Sequence, residues 1–124
     1  MIQEYITSTR QQFNQYRVMG EKTFSQLEDE DLFWQYNDDS NSIAIIVNHL
    51  SGNMISRWTD FLTTDGEKEW RERDREFEAV INTRNELLTA WEKGWDCLFN
   101  GFDTIDESNF GTRVYIRNEE HSII

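Results

Sequence analysis

The chain has 124 residues, enough to bury one core and too few for two, so a single domain spanning residues 1–124 is expected. Twelve basic against twenty-four acidic residues leave a formal charge of -12, which repels phosphate backbones and anionic lipid headgroups and makes nucleic acid and membrane surfaces poor partners. Apolar residues at 37% and aromatic residues at 14% supply the large side chains of a packed interior and exclude wholesale disorder.

The start, MIQEYITSTR, lacks the basic and apolar regions of a secretory signal, and no apolar stretch approaches the ~20 residues of a membrane span. Cys97 is the one cysteine, so no intrachain disulfide can form, and a cytoplasmic address is expected. Within WDCLF it reads as a small buried thiol, because no His or basic residue beside it would lower its pKa.

From Ile2 to Leu27, larger or apolar residues recur at Ile2, Ile6, Thr9, Phe13, Tyr16, Gly20, Phe24 and Leu27, the spacing of an amphipathic helix over about 2–27. The acidic turn LEDED then opens a connector through LFWQYNDD. Asp39, Ser40 and Asn41 are N-cap candidates for a second helix over about 42–62, with Ile43, Val47, Leu50, Met54, Trp58 and Phe61 as its buried stripe. TTDG at 63–66 stops it. A third helix is expected over about 73–99, burying Phe77, Val80, Ile81, Leu87, Leu88, Trp91, Trp95 and Leu98, with Gly101 placed to end it.

The second helix would be about 30 Å long, and the segment from Leu62 to Arg73 is long enough, at ~3.3 Å per residue, to run back along it. Helices two and three can therefore be parallel, joined by a crossover, or antiparallel with a loose charged loop. RVYIR at 113–117 alternates like a strand but is too short to seed a sheet alone, and the class is all-α. Asn118 to Ser122 then read as a cap and acidic first turn of a fourth helix from about 119, with Ile123 and Ile124 its first apolar positions; the sequence stops there.

His49 lies about 120° around the second helix from the centre of the apolar stripe, followed by Asn53, Ser56 and Asp60 in a polar seam. Periodicity alone favours a half-buried ring bonded to Asn53 or a carbonyl over a metal ligand. Asp60 stands ~16 Å further along the helix, and a neutral amide such as Asn53 is a feeble ligand. The other histidine is His121. In GEKEWRERDREFE, residues 66–78, the default reading is a solvated charged face, but Arg71, Arg73 and Arg75 make the densest cationic patch and would draw an anionic small molecule, with Trp70 either an apolar wall or core.

The run NSIAIIVNHLSGNMISRWTDFLTTDGEKEWRERDREFE, residues 41–78, with LEDEDLFWQYNDDSNS before it and RVYIRNEEHSII after it, resembles the DinB-like (YfiT-like) superfamily, in particular a subfamily of unknown function. The resemblance implies an up-down-down-up four-helix bundle, here with the fourth helix largely missing, and a homo-oligomer, commonly a dimer. Relatives with assigned activities include metal-dependent hydrolases and thiol transferases that use bacillithiol or mycothiol, which implies a thiol or anionic small-molecule substrate. The family's divalent ion, zinc or nickel, is held by three histidines, one on the second helix and an HxxxH pair on the fourth. His49, in NHL, matches the first; the pair has no counterpart, and His121 precedes the positions it would occupy. The resemblance thus implies one ligand, no tightly held ion and no activity for these 124 residues. The alternative is a non-catalytic helical module that oligomerises through an exposed groove.

Overall fold

The computed structural model describes residues 2–77 and 80–122. Its elements are α1 (Ile2–Gln26), α2 (Asp29–Phe33), α3 (Ile43–Trp58), a short 3-10 turn (Asp74–Phe77), α4 (Arg84–Phe102) and the strands β1 (Arg113–Ile116) and β2 (Glu119–Ser122). The protein is mostly helical, with one small antiparallel sheet added to the expected all-α class.

Direction follows from contacts. Along α1, Arg10 meets Asp103, Arg17 meets Asp96 and Phe24 meets Trp91, so α1 and α4 are antiparallel. Along α3, Ser51 Oγ donates to the Ala90 carbonyl at 2.7 Å and Thr59 Oγ1 lies 3.2 Å from Cys97 Sγ, so α3 and α4 run parallel. The segment 59–83 is therefore a crossover back along α3. Up-down-down is the order of the three long helices.

Helix boundaries depend on local chemistry. Ser42 caps α3 by accepting the Ile45 amide at 3.1 Å. The helix stops at Trp58, four residues before the expected end, because Asp60 takes a left-handed conformation (φ 48) and its carbonyl accepts the amides of Thr63 and Thr64. The expected start of the third helix at about 73 is corrected to Arg84. Thr83 caps α4 through the Glu86 amide at 3.1 Å. Phe77, Val80 and Leu88, expected inside, are exposed, whereas Ile81, Leu87, Trp91, Trp95 and Leu98 are buried.

A second correction concerns the stripe of α3. Leu50 is 41% exposed, and the buried side runs through Ala44, Val47, Ser51 and Met54. Opposite Ser51 stands Gly94, where an added Cβ would lie 3.0 Å from the Ser51 Cα and 2.8 Å from Met54 Cε. The backbones approach too closely for a leucine, so the small residue turns inward and Leu50 rotates out.

The residues expected to open a fourth helix form a hairpin instead. β1 pairs with β2 from Arg113↔Ser122 to Ile116↔Glu119. Arg117 (φ 52) and Asn118 (φ 65) make the two-residue turn with left-handed backbone at both positions, the geometry that matches strand twist. Asp65 accepts the amides of Arg117 at 2.7 Å and Asn118 at 2.6 Å, and the Gly66 amide donates to the Tyr115 carbonyl at 2.6 Å. The alternation in RVYIR was a strand after all, stabilised by docking on the crossover. Ile123 and Ile124 lie outside the described residues.

Leu32 and Leu87 are fully buried in a core otherwise dominated by Phe24, Trp91, Trp95, Phe99 and Phe102. Leu87→Ala should destabilise by ~2–5 kcal/mol, the range for a core cavity, and Leu50→Ala by far less. Equal losses in chemical denaturation would contradict the rotation of α3. The Asp65 carboxyl is held below its ordinary pKa of 3.8 by the amides of Asn118, Glu67 and Arg117. Because the folded value is depressed, its contribution is complete above 3.8 and vanishes as pH falls through the folded value. Acidification in that window, or Asp65→Ala at neutral pH, should release the hairpin turn, read as faster amide exchange at Arg117 and Asn118.

Candidate functional site: a histidine held by a buried carboxylate

His49 projects from the middle of α3, half-buried, with its ring stacked on Phe77 at 4.9 Å between centroids and 30° between planes. Its Nδ1 lies 3.1 Å from Glu76 Oε1. Glu76 is itself buried, and Arg71, whose side chain is 1% exposed, grips it as a fork: Nε donates to Oε2 and Nη2 to Oε1, both at 2.9 Å. Asn48 Nδ2 donates to the Glu76 carbonyl at 3.1 Å, fixing the backbone beneath. Gly52 makes this possible, since a Cβ there would fall 2.0 Å from Glu76 Oε2. The carboxylate rests directly on the helix.

The chemistry of the pair determines the proton on the ring. Both Glu76 oxygens already accept from the Arg71 guanidinium and a carboxylate offers only acceptors, so in the neutral imidazole Nδ1 carries the hydrogen and donates to Glu76. Nε2 is left with its lone pair, and it makes no hydrogen bond among the described residues. In metal sites a carboxylate placed in this way behind a histidine orients the ring so that it binds through its other nitrogen.

The remaining candidates disperse. Asn53 does not bond His49, in contrast to the periodicity-based expectation. Ser56, fully buried, donates to the Gly66 carbonyl at 2.6 Å and accepts the Lys68 amide at 3.0 Å, so it anchors the crossover. Asp60 closes α3. The polar seam is not one site. Arg75 pairs with Glu72 at 3.0 Å, and Trp70 is an exposed side chain, neither core nor closed wall. Cys97, expected to be a buried thiol, is half-buried instead and lines an open cleft of about 820 Å³ with Trp58, Phe61 and Gly101; His49 is not part of it. His121 sits on β2, exposed. Among the described residues no group of three or more His, Cys, Asp or Glu is placed to hold a metal ion. No described helix is long and apolar enough to cross a membrane.

Fold and site together define a helical protein in which two parallel helices and a folded-back crossover hold one histidine by a buried ion pair. The chain belongs to the family described as Protein of unknown function (DUF1572), whose model matches residues 1–124. No curated protein and no solved structure matches it.

Proposed function

We propose that this is a DinB-like protein in which His49 supplies, through Nε2, one ligand to a divalent ion, zinc or nickel, in a hydrolase or thiol transferase acting on a small thiol or anionic substrate. The observation that carries the reading is the Nδ1 contact to a buried, arginine-paired carboxylate, which commits one nitrogen and presents the other. The up-down-down order of α1, α3 and α4 is also what the family resemblance implies.

The described residues fit one ligand of the about three that a catalytic site uses. A complete site would need about two further ligands. A bound zinc or nickel ion would supply Lewis acidity, lowering the pKa of a water or thiol. The chain's own contribution is positional: Phe77 limits rotation of the ring, Glu76 sets its hydrogen, and Arg71 holds Glu76 in place.

With one imidazole at this site, the present chain should retain no stoichiometric zinc or nickel after dialysis, by elemental analysis. Extended by a fourth helix bearing HxxxH, it should bind one ion, weakened at least about tenfold by His49→Ala and about 10–100-fold by Glu76→Gln. A folded extended protein that binds no ion, or binds equally without His49, would refute the reading. The 124-residue chain offers a check without metal. In Glu76→Ala the acceptor that holds the hydrogen on Nδ1 is lost, so the imidazole ¹⁵N shifts should report a larger share of the hydrogen on Nε2 than in the unaltered chain.

A non-catalytic, self-associating module is the second reading, supported by exposed Ile46 and Leu50, one turn apart on α3, and exposed Tyr5, Tyr16 and Met19 on α1. It predicts a dimer at micromolar concentration. A monomer throughout that range by light scattering would count against it.

A further inference from the structure

Beyond Arg71 the ion network changes character. Four guanidinium groups from separate parts of the fold surround the Glu67 carboxylate: Arg57 from α3, Arg71 and Arg73 from the crossover, and Arg117 from the hairpin turn. Arg57 Nη1, Arg71 Nη1 and Arg117 Nε stand 3.6, 3.7 and 3.8 Å from Glu67 Oε2, and Arg73 Nη1 stands 3.9 Å from Oε1. None of these contacts is a hydrogen bond. Arg57 Nη1, Arg71 Nη1 and Glu67 Oε2 are buried with no hydrogen-bond partner. Arg71 itself shows the contrast, since its other two nitrogens grip Glu76 at 2.9 Å. Orphaned charged atoms of this kind are costly and call for a missing group.

Two quantities identify it. A guanidinium nitrogen donating a charge-assisted bond of about 2.8 Å to a phosphate oxygen stands roughly 3.8 Å from the phosphorus. The three nitrogens around Glu67 Oε2, at 3.6–3.8 Å, therefore lie where they would bind the oxygens of a tetrahedral oxyanion centred on that atom. Charge agrees: four arginines face the carboxylates of Glu67 and Glu76, a surplus of two positive charges on a strongly acidic protein. Access agrees too, because the side chains of Arg73 and Arg117 are 41% and 54% exposed, and Glu67 sits on a loop with its side chain 23% exposed.

We infer that the arginine ring is a binding site for a phosphate-type dianion, with Glu67 as an ill-fitting placeholder that the ligand displaces. The site is linked to His49 through Arg71 and Glu76, but the inference does not depend on any ion at His49.

The test is titration of inorganic phosphate without added metal, at ionic strength held constant with chloride, following heat of binding and Tm. The native chain should bind weakly. Glu67→Gln, which keeps the shape and removes the competing charge, and Glu67→Ala should bind at least ten times more tightly, with phosphate restoring Tm lost in either variant. Arg117→Ala, an exposed change the fold should tolerate, should lose the phosphate-dependent rise in Tm. No phosphate-specific effect in the native chain and Glu67→Gln, or an undiminished one in Arg117→Ala, would overturn the proposal and leave a structural network bridged by water. An equal response to malonate would overturn the tetrahedral assignment.

Discussion

The fork between Arg71 and Glu76 is the interaction on which the rest of the structure turns. The crossover from α3 to α4 contains no long helix among its described residues and is rich in charged side chains, yet it must lie along α3 for the two helices to run parallel. Burying two opposite charges there is costly unless geometry is close to ideal, and removing either partner from such a pair typically costs about 3–5 kcal/mol. The geometry is close to ideal, with both bonds at 2.9 Å. The fork thus fixes Glu76, whose carbonyl and carboxylate meet Asn48 and His49 of α3, and it holds the third Arg71 nitrogen toward Glu67.

This explains why an acidic chain spends its scarce cations where it does. Arg10 and Arg17 join α1 to α4, and Arg84 reaches the carbonyls of Phe24 and Leu27 as well as Asp29. Arg57, Arg71, Arg73 and Arg117 collect around the crossover. The arginines act as connectors between elements, and the acidic surplus is left on the outside.

Much of the architecture was legible because periodicity reports burial over many residues. α1 was readable to within a residue, and the apolar face of α4 stood out at Trp91, Trp95 and Leu98. Where one small or polar residue decides, averaging misled: Ser51 displaced Leu50 because Gly94 faces it, and Thr83 rather than Arg73 began α4. Glu76 and Arg71 were hidden in a charge run whose members look alike until folded. Gly52 was the available signal, since a glycine inside a helix costs about 1 kcal/mol over alanine and has a reason when retained. The hairpin was missed because its turn, Arg117–Asn118, lacks the usual glycine and is held by Asp65, 52 and 53 positions away.

The parallel setting of α3 and α4 also shapes how the chain must fold. Ser51 meets Ala90 and Thr59 meets Cys97 across 39 and 38 positions, so the separation stays nearly constant along the whole interface. An antiparallel pair can zip from its connecting loop, gaining contacts one turn at a time. Here no short-range contact begins the process, and the full entropy of closing the crossover is spent before any helix contact offsets it. The helix that carries His49 is therefore expected to dock in a single cooperative event, with Arg71, Glu76 and the imidazole arriving together.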